Sequence, residues 1–482
     1  LAAEGLSLEG DAVQQVRLPA GEQVKVVWPV KVVPGSSVGT QAAAETPAAA
    51  GSPAAVGAAG RVTVRMEARA GSYSDGREDT LPVYTYATPE VVATAGRISE
   101  PDARQEVVQL PREFDPTQGE LSVQVDGSLT AATQDAFTYL ESYPYECVEQ
   151  TVSRFLPNVL TYQALVEMGI ARPELEENLR RQVSLALQKL YNEQQYDGGW
   201  GWWLSDASNA YLTAYVLQGL LEAHRADFTV DDRVIEDAVA FLRENLPSIS
   251  RQSSARQANR LAYELYVLGE YINLMTVESA GELNRAVRLY NQREQLDRYG
   301  QAMLAVALGL LEPTEDSRVN TLLSDLAGDV VISATGAHWE EAEPDYWNMN
   351  TDTRSTAIIL WAMARYNPES ALLPNVVRWL MTVRREGFWE STNTTAWSLM
   401  GLVAYMRATG ELQGDYGYTV SLNGDILLSG EVDAGNIDES AEAQVEIAEL
   451  LVDRGNRLII ERQAPSDEQT GEGQLYYTAH LR

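Results

Sequence analysis

Gly198-Gly199-Trp200-Gly201-Trp202, a polar stretch, and then Thr213-Ala214-Tyr215-Val216-Leu217 make a unit that the chain repeats. Gly336-Ala337-His338-Trp339 leads in the same way to Thr356-Ala357-Ile358-Ile359-Leu360, and Gly387-Phe388-Trp389 leads to Thr395-Ala396-Trp397-Ser398-Leu399. Weaker copies are Leu261-Ala262-Tyr263-Glu264-Leu265 and Leu304-Ala305-Val306-Ala307-Leu308. The alanines at 214, 262, 305, 357 and 396 lie 48, 43, 52 and 39 residues apart, the length of a helix pair with its loops. Apolar residues recur at helical spacing throughout, in segments of about 12–20 residues between Gly, Pro or polar breaks. The 285 residues from 126 to 410 hold six such pairs. Six pairs can close into an α/α toroid, which removes the exposed end faces of an open solenoid. Alanine beside leucine suits close approach of inner and outer helices. Core packing is the expected role of most of the ten tryptophans.

Outward from this block the period changes to two. Val16, Leu18, Val24, Val26, Val30 and Val32 alternate between the turn signals Pro19-Ala20-Gly21 and Pro34-Gly35. Residues 35–60 are rich in Ala, Gly, Ser and Pro and read as a flexible interstrand connection. Arg61 to Ala68 resumes the alternation, Leu81-Pro82-Val83-Tyr84 closes the unit, and Glu106–Leu110 and Leu121–Val125 read as further strands. After the helices, Gly417–Leu422 and Asp425–Leu428 flank Asn423-Gly424, a strong hairpin signal. Arg457–Glu461 and Gly473–Ala479 give two more strands. The expected fold is mixed and multidomain: an α/α toroid of about six helix pairs, inserted into or flanked by β-sandwich domains. The boundaries are 1–86 for a first β unit, 126–412 for the toroid, and 87–125 plus 413–482 for a second β domain whose strands pair across it.

The chain has 482 residues, a length prior of roughly three domains. With 69 acidic against 36 basic residues its net charge is −33. That argues against nucleic acid or an anionic membrane as partner. No apolar run is long enough for a membrane helix. The chain starts Leu-Ala-Ala, without a signal peptide, and reads as a processed or truncated piece of something longer. Lysine occurs only at 25, 31 and 189. Composition bias accounts for this; an amine-reactive centre also benefits when its own chain carries few amines.

Cys147 is the single cysteine, in Tyr143-Pro144-Tyr145-Glu146-Cys147-Val148-Glu149-Gln150. It can form neither an internal disulfide nor a multi-cysteine metal site, and no metal or cofactor is expected. Cys-x-Glu-Gln is the spacing at which a Cys sulfur and a Gln side-chain carbonyl close an internal thioester, because i and i+3 share one helix face. Pro144 places a helix start near the cysteine, where unpaired N–H groups favour a thiolate. The plain alternative is a small buried hydrophobe.

This motif at the start of a helical repeat block resembles the thioester domain of bacterial α2-macroglobulins and of animal complement-like thioester proteins. The flanks agree: Arg61 to Tyr84 is similar to the end of a macroglobulin β sandwich, and Gly473-Gln474-Leu475-Tyr476-Tyr477 is similar to the closing strand of a CUB-like domain. The resemblance spans nearly the whole chain. It implies a partial macroglobulin-like unit at 1–86, a CUB-like domain at 87–125 plus 413–482, and a C-terminal fragment without the bait region. Two departures stand out. Glu146 replaces the family's usual Gly, putting a charge beside the bond. The stretch Ser248–Asn259 holds no histidine, so the resemblance implies acylation of amines rather than hydroxyls; His224, His338 and His480 lie elsewhere.

The implied function is a broad-spectrum protease trap, single-use rather than enzymatic. A lysine amine of the protease attacks the Gln150 carbonyl and Cys147 leaves as a thiol. Glu149 is a candidate for assisting proton movement, with a helix N-terminal acid as its alternative role. Tyr143, Tyr145, Trp200, Trp202 and Trp203 are candidates for shielding the bond from water. The implied location is extracytoplasmic, periplasmic, cell-surface or secreted, and a lipid anchor on a missing N-terminal part stays open. Three other readings stay open. A macroglobulin-fold structural or adhesion module needs no thioester. A terpene cyclase-like toroid fits Gln194-x-x-x-Gly198-x-Trp200 but lacks an Asp-x-Asp-Asp cluster, and the histidines are too few for a zinc prenyltransferase. A cysteine hydrolase would pair Cys147 with His338.

Overall fold

In the computed structural model, which describes residues 2–4, 6–19, 21–32, 58–84, 91–112, 114, 119–167, 173–314, 316–385, 387–409, 414–433, 435–437, 439–465, 471 and 473–482, the Gly–Trp unit plays one repeated role. Each tryptophan lies between an outer helix and the next inner one. Its indole N–H donates to a last-turn carbonyl of the outer helix: Trp200 to Leu190 at 2.8 Å, Trp339 to Leu326 at 2.7 Å, Trp389 to Leu380 at 3.0 Å. Its backbone N–H donates to the unit's threonine hydroxyl, Thr213, Thr356 or Thr395, at 2.9, 3.1 and 3.2 Å. One residue thereby satisfies an orphan carbonyl at one helix end and fixes the start of the next helix. The glycine before it takes φ of 87°, 128° and 86° at Gly198, Gly336 and Gly387. Each lies against the following outer helix, so that a Cβ would come within 2.3 Å of Asp237, Asn375 or Asp135. Only glycine tolerates both demands.

The helices run α1 Leu129–Ala132, α2 Gln134–Ser142, α3 Val148–Glu167, α4 Pro173–Glu193, α5 Ala210–Arg225, α6 Asp232–Asn245, α7 Ala255–Met275, α8 Glu282–Tyr290, α9 Arg298–Leu311, α10 Asp316–Gly328, α11 Asp352–Tyr366, α12 Leu373–Val383 and α13 Thr392–Thr409. From α3 onward the odd-numbered helices form an inner ring in which each touches the next and α13 returns to α3. The even-numbered helices pack outside, and α2 seals the joint between α13 and α3. This is a closed α/α toroid. Inner helices are apolar nearly all round: Tyr211–Ala223 of α5 and Thr353–Ala364 of α11 are buried without interruption.

Glu264, on α7, is fully buried and is reached by the Arg260 guanidinium (Nε–Oε1 2.9 Å). Burial is the main cause that pushes its carboxyl up to about 8. A raised carboxyl pKa means the fold binds a proton that the unfolded chain has released, so stability falls as pH rises from about 4.5 to about 8. Glu264→Gln is expected to stabilise the toroid by ~2 kcal/mol at pH 8 and to change little at pH 4. Denaturant midpoints at the two pH values check this.

Residues Leu1–Glu90 form a separate unit. In it β1 Ala2–Glu4 pairs with β4 Ala58–Ala70, β4 pairs with β5 Tyr73–Tyr84, and β2 Leu6–Leu8 pairs with β3 Val30–Val32. Of the alternation expected over 13–33, only Val30–Val32 becomes a strand. Val13, Val16, Leu18, Val24 and Val27 are exposed. Pro19 and Pro29 remove ladder donors, and among the described residues no strand pairs with 9–29 to give the alternation a buried face. Of the connection expected at 35–60, residues 35–57 lie outside the described residues, and the sheet resumes at Ala58 rather than Arg61.

In Val91–Arg482, β6 Val92–Ile98, β7 Asp102–Val108 and β8 Glu120–Asp126 precede the helices. A hairpin of β9 Val331–Ser333 and β10 Gly336–His338 leads towards α11. β11 Tyr416–Leu422, β12 Asp425–Val432, β13 Ser440–Glu446, β14 Asn456–Gln463 and β15 Leu475–Leu481 follow the helices. Two four-stranded antiparallel sheets result, ordered β12-β11-β14-β7 and β13-β8-β15-β6. Each mixes strands from before and after the helices, with Leu121↔Leu481 and Val107↔Arg457 among the paired residues. Leu121, Val123, Val125, Leu458, Ile460 and Tyr477 fill the core between the sheets. Strand β15 is buried on both faces: Tyr477 points into this core, while Tyr476 joins the toroid core with Ala95. Asn423 (φ 57°) and Gly424 (φ 105°) make the tight β11–β12 turn. Among the described residues no helix is long and apolar enough to cross a membrane.

Candidate functional site

Between α2 and α3 the chain turns through Tyr143-Pro144-Tyr145-Glu146, and Cys147 stands one residue before α3. Its carbonyl accepts from both the backbone N–H and the hydroxyl of Thr151, each at 2.9 Å, the bond that starts the helix. The Cys147 N–H donates to Gln150 Oε1 at 3.0 Å. The Gln150 side chain therefore curls back over the first turn onto Cys147, as the i, i+3 spacing predicts. Its acyl oxygen is held by a fixed donor, which is where negative charge gathers when a nucleophile adds to that carbonyl.

Cys147 is buried, 6% exposed. Burial pushes its thiol above the ordinary range; the Gln150 and Glu149 backbone N–H groups and the Lys189 charge pull the other way, and the Glu149 carboxylate adds to the rise. The sulfur is thus kept neutral, with helix-start donors turned towards it.

Glu149 points away from this face, since i and i+2 do not meet on a helix. Its Oε1 accepts from Ser153 at 2.5 Å and its Oε2 from Thr392 of α13 at 2.9 Å. Ser153 also bonds Tyr215 of α5 at 2.9 Å. The carboxylate sits in the joint where the inner ring closes. Burial raises its pKa and these hydrogen bonds oppose the rise. Behind it lies Arg354, fully buried, which donates to Asn393 at 2.7 Å, to Asn350 at 3.1 Å and to Tyr211. The faces of Tyr211, Tyr299 and Trp397 surround its guanidinium.

The aromatic candidates take different places. Tyr143 is half-buried, edge-on to Tyr139 at 5.5 Å, and Tyr139 stacks on Phe388 at 3.9 Å. Tyr145 touches Tyr143 edge-on but is 62% exposed. Trp200 is fully buried, its N–H committed to Leu190. Trp202 reaches the site through its main chain: its carbonyl accepts the Val148 N–H at 3.1 Å. Trp203 is half-exposed.

Glu146 turns outward, away from the sulfur. Arg154, two turns along α3, bonds its carboxylate at 2.9 Å and the Tyr143 carbonyl at 3.3 Å. Lys189 of α4 donates to the Glu146 carbonyl and stands 3.8 Å from its carboxylate. The Arg154 contact is the main cause that lowers the Glu146 pKa. Sequence reasoning does not single out Arg154, Lys189, Ser153 or Thr392; Arg154 is near in sequence, eight residues after Glu146, but Glu146 lies in the turn before α3 and no helical spacing relates the two. His338 stacks on Trp379 at 4.5 Å and bonds Glu340, His480 lies in β15, and His224 lies in the last turn of α5.

Residues 121–250 match the family model described as the A-macroglobulin TED domain. The α2-macroglobulin of Thermotoga maritima is 25% identical over 303 residues, covering 63% of this chain and 16% of its own length. That of Rickettsia conorii is 24% identical over 234 residues, covering 48% of this chain and 12% of its own. The chain thus spans less than a fifth of either relative. In structure it is similar to native Escherichia coli α2-macroglobulin from domain MG7 to the C-terminus (TM-score 0.53, 17% identity, 100% of this chain and 68% of that one). It is also similar to Salmonella α2-macroglobulin reacted with methylamine (TM-score 0.51, 16% identity, 100% of this chain and 28% of that one). Residues 121–250, with Cys147 and Gln150 on the first inner turn of the helical toroid, thus match the A-macroglobulin TED domain, and the chain as a whole is similar to α2-macroglobulins in sequence and in fold.

Proposed function

We propose that this chain carries the reactive part of a covalent protease trap, with an internal thioester between Cys147 Sγ and the Gln150 side-chain carbonyl. The observation that carries the reading is the first turn of α3: a buried cysteine, and a Gln side chain folded back onto it with its acyl oxygen held by the Cys147 N–H. A thioester releases a better leaving group than an amide, so a lysine amine of a captured protease attacks the carbonyl. The C–S bond breaks, Cys147 takes the proton, and the protease stays joined through an amide. One chain acts once, so it is a trap and not a catalyst. Glu149 positions the turn by clamping α3 to α13. The sheets of 92–126 and 416–481 take the CUB-like place and 1–86 the macroglobulin-like place. Trapping of a protease by the longer relatives' architecture implies an extracytoplasmic setting.

Amine preference follows from where the histidines lie: His338 is held by Trp379 and Glu340, His224 and His480 lie in α5 and β15, and none lies in the Ser248–Asn259 stretch. The test is incorporation of a fluorescent primary amine against a matched alcohol. The amine is expected at Gln150, with a new thiol at Cys147, and Cys147→Ala is expected to abolish both. Labelling of Cys147→Ala at Gln150 to the wild-type extent would overturn the proposal.

A further inference from the structure

We propose that Lys189 is a guarded internal acceptor for the Gln150 acyl group: when its hold on Glu146 opens, it forms a Lys189–Gln150 isopeptide bond and retires an unused trap. This rests on the thioester reading above. Lys189 is the single lysine between residues 91 and 482. In a stretch otherwise free of lysine amines, the one amine lies beside the amine-reactive bond. Its Nζ donates to the carbonyl of Glu146, the residue before Cys147, and stands 3.8 Å from the Glu146 carboxylate and 4.0 Å from that of Glu193.

The same peptide group separates the two reactants. Because the Glu146–Cys147 peptide is trans, its C=O and N–H point to opposite sides. Lys189 is held at the C=O, and Gln150 Oε1 at the N–H. As an ammonium beside two carboxylates, the lysine has no lone pair to attack with. Glu146 thereby gains a role, since it binds the cation that would otherwise consume the bond. Once the contact opens and the ammonium loses its proton to water, Nζ adds to Gln150 Cδ. The C–N bond forms, the C–S bond breaks, and the leaving Cys147 thiolate takes up a proton. No water enters and nothing is lost. An amine tethered at the same peptide group as the acyl oxygen outcompetes dilute amines in solution, since such pairs reach high effective concentrations.

The experiment ages the purified chain at about pH 9.5, near the lysine range, without added amine. Intact mass, thiol labelling and tryptic peptides are then read. The expected result is release of the Cys147 thiol with no gain of water, and a branched peptide joining 113–154 to 182–225 through a missed cleavage at Lys189. Lys189→Arg keeps the ion pairs and removes the nucleophile. It is expected to lose the branched peptide and to slow thiol release at least about tenfold, while methylamine still opens its bond. Glu146→Gln is expected to speed branching. A thiol released with gain of one water, at equal rates in wild type and Lys189→Arg, overturns the internal acceptor and leaves the thioester standing. A thiol free from the start, with the Gln150 amide intact and no branched peptide, overturns both. A free thiol together with the branched peptide in fresh protein supports both, the transfer having already occurred.

Discussion

Trp339→Ala is expected to cost the toroid ~3–5 kcal/mol of stability, the range for truncating a fully buried large aromatic. Trp339 is wholly inside, its indole N–H caps Leu326 and its backbone is bonded to Thr356. Truncation opens a cavity and removes the donor to the Leu326 carbonyl at the end of α10. Denaturant unfolding followed by helical circular dichroism measures the loss. Trp347→Ala is the control: that ring is 70% exposed, and its removal is expected to change stability by no more than ~0.5 kcal/mol. Equal effects of the two substitutions would contradict the role given to the repeat.

The second large effect concerns Glu149. Glu149→Ala removes the acceptor shared by Ser153 and Thr392, strands the buried Thr392 hydroxyl and leaves Ser153 with Tyr215 alone. The joint between α3 and α13 loosens, and the turn holding Cys147 and Gln150 loosens with it. Stability is expected to fall by ~2–3 kcal/mol. Methylamine is expected to open the proposed thioester about tenfold faster, equivalent to ~1.4 kcal/mol of lost barrier. Glu149→Gln keeps an acceptor in place and is expected to restore most of the wild-type rate. If Glu149 instead moved a proton in the reaction, Gln would be as defective as Ala and both would be slower than wild type.

Much of this is legible in sequence because it depends on local spacing. The Gly–Trp unit marks the helix pairs, and the atoms explain why it repeats: a positive φ against the neighbouring outer helix, an indole that caps, a threonine that receives. Asn423-Gly424 marks its turn for the same reason. Cys147 and Gln150 are readable because i, i+3 is a geometric statement. What escapes depends on long-range pairing. Strand β6 is Val-Ala-Thr-Ala-Gly-Arg-Ile, with small residues and a Gly, and its place is set by β15 almost 400 residues later. Strand β13, Ser-Ala-Glu-Ala-Gln-Val-Glu, is polar on its exposed face and is fixed by β8. Conversely, the valines of 13–27 alternate without a partner and stay exposed. Thr392 and Lys189 reach Cys147's turn from 245 and 42 residues away in sequence, and no local pattern marks them. Trp200 reads as a shield from its neighbours in sequence, whereas its position in the repeat commits it to the core and leaves the main chain of Trp202 at the site.

The most direct test is the intact mass of freshly purified chain that has met no nucleophile, read beside iodoacetamide labelling of its one cysteine. The proposed bond predicts a mass short by one ammonia, with Cys147 unlabelled until methylamine is added. A full-length mass with Cys147 labelled at once and Gln150 still an amide would contradict it.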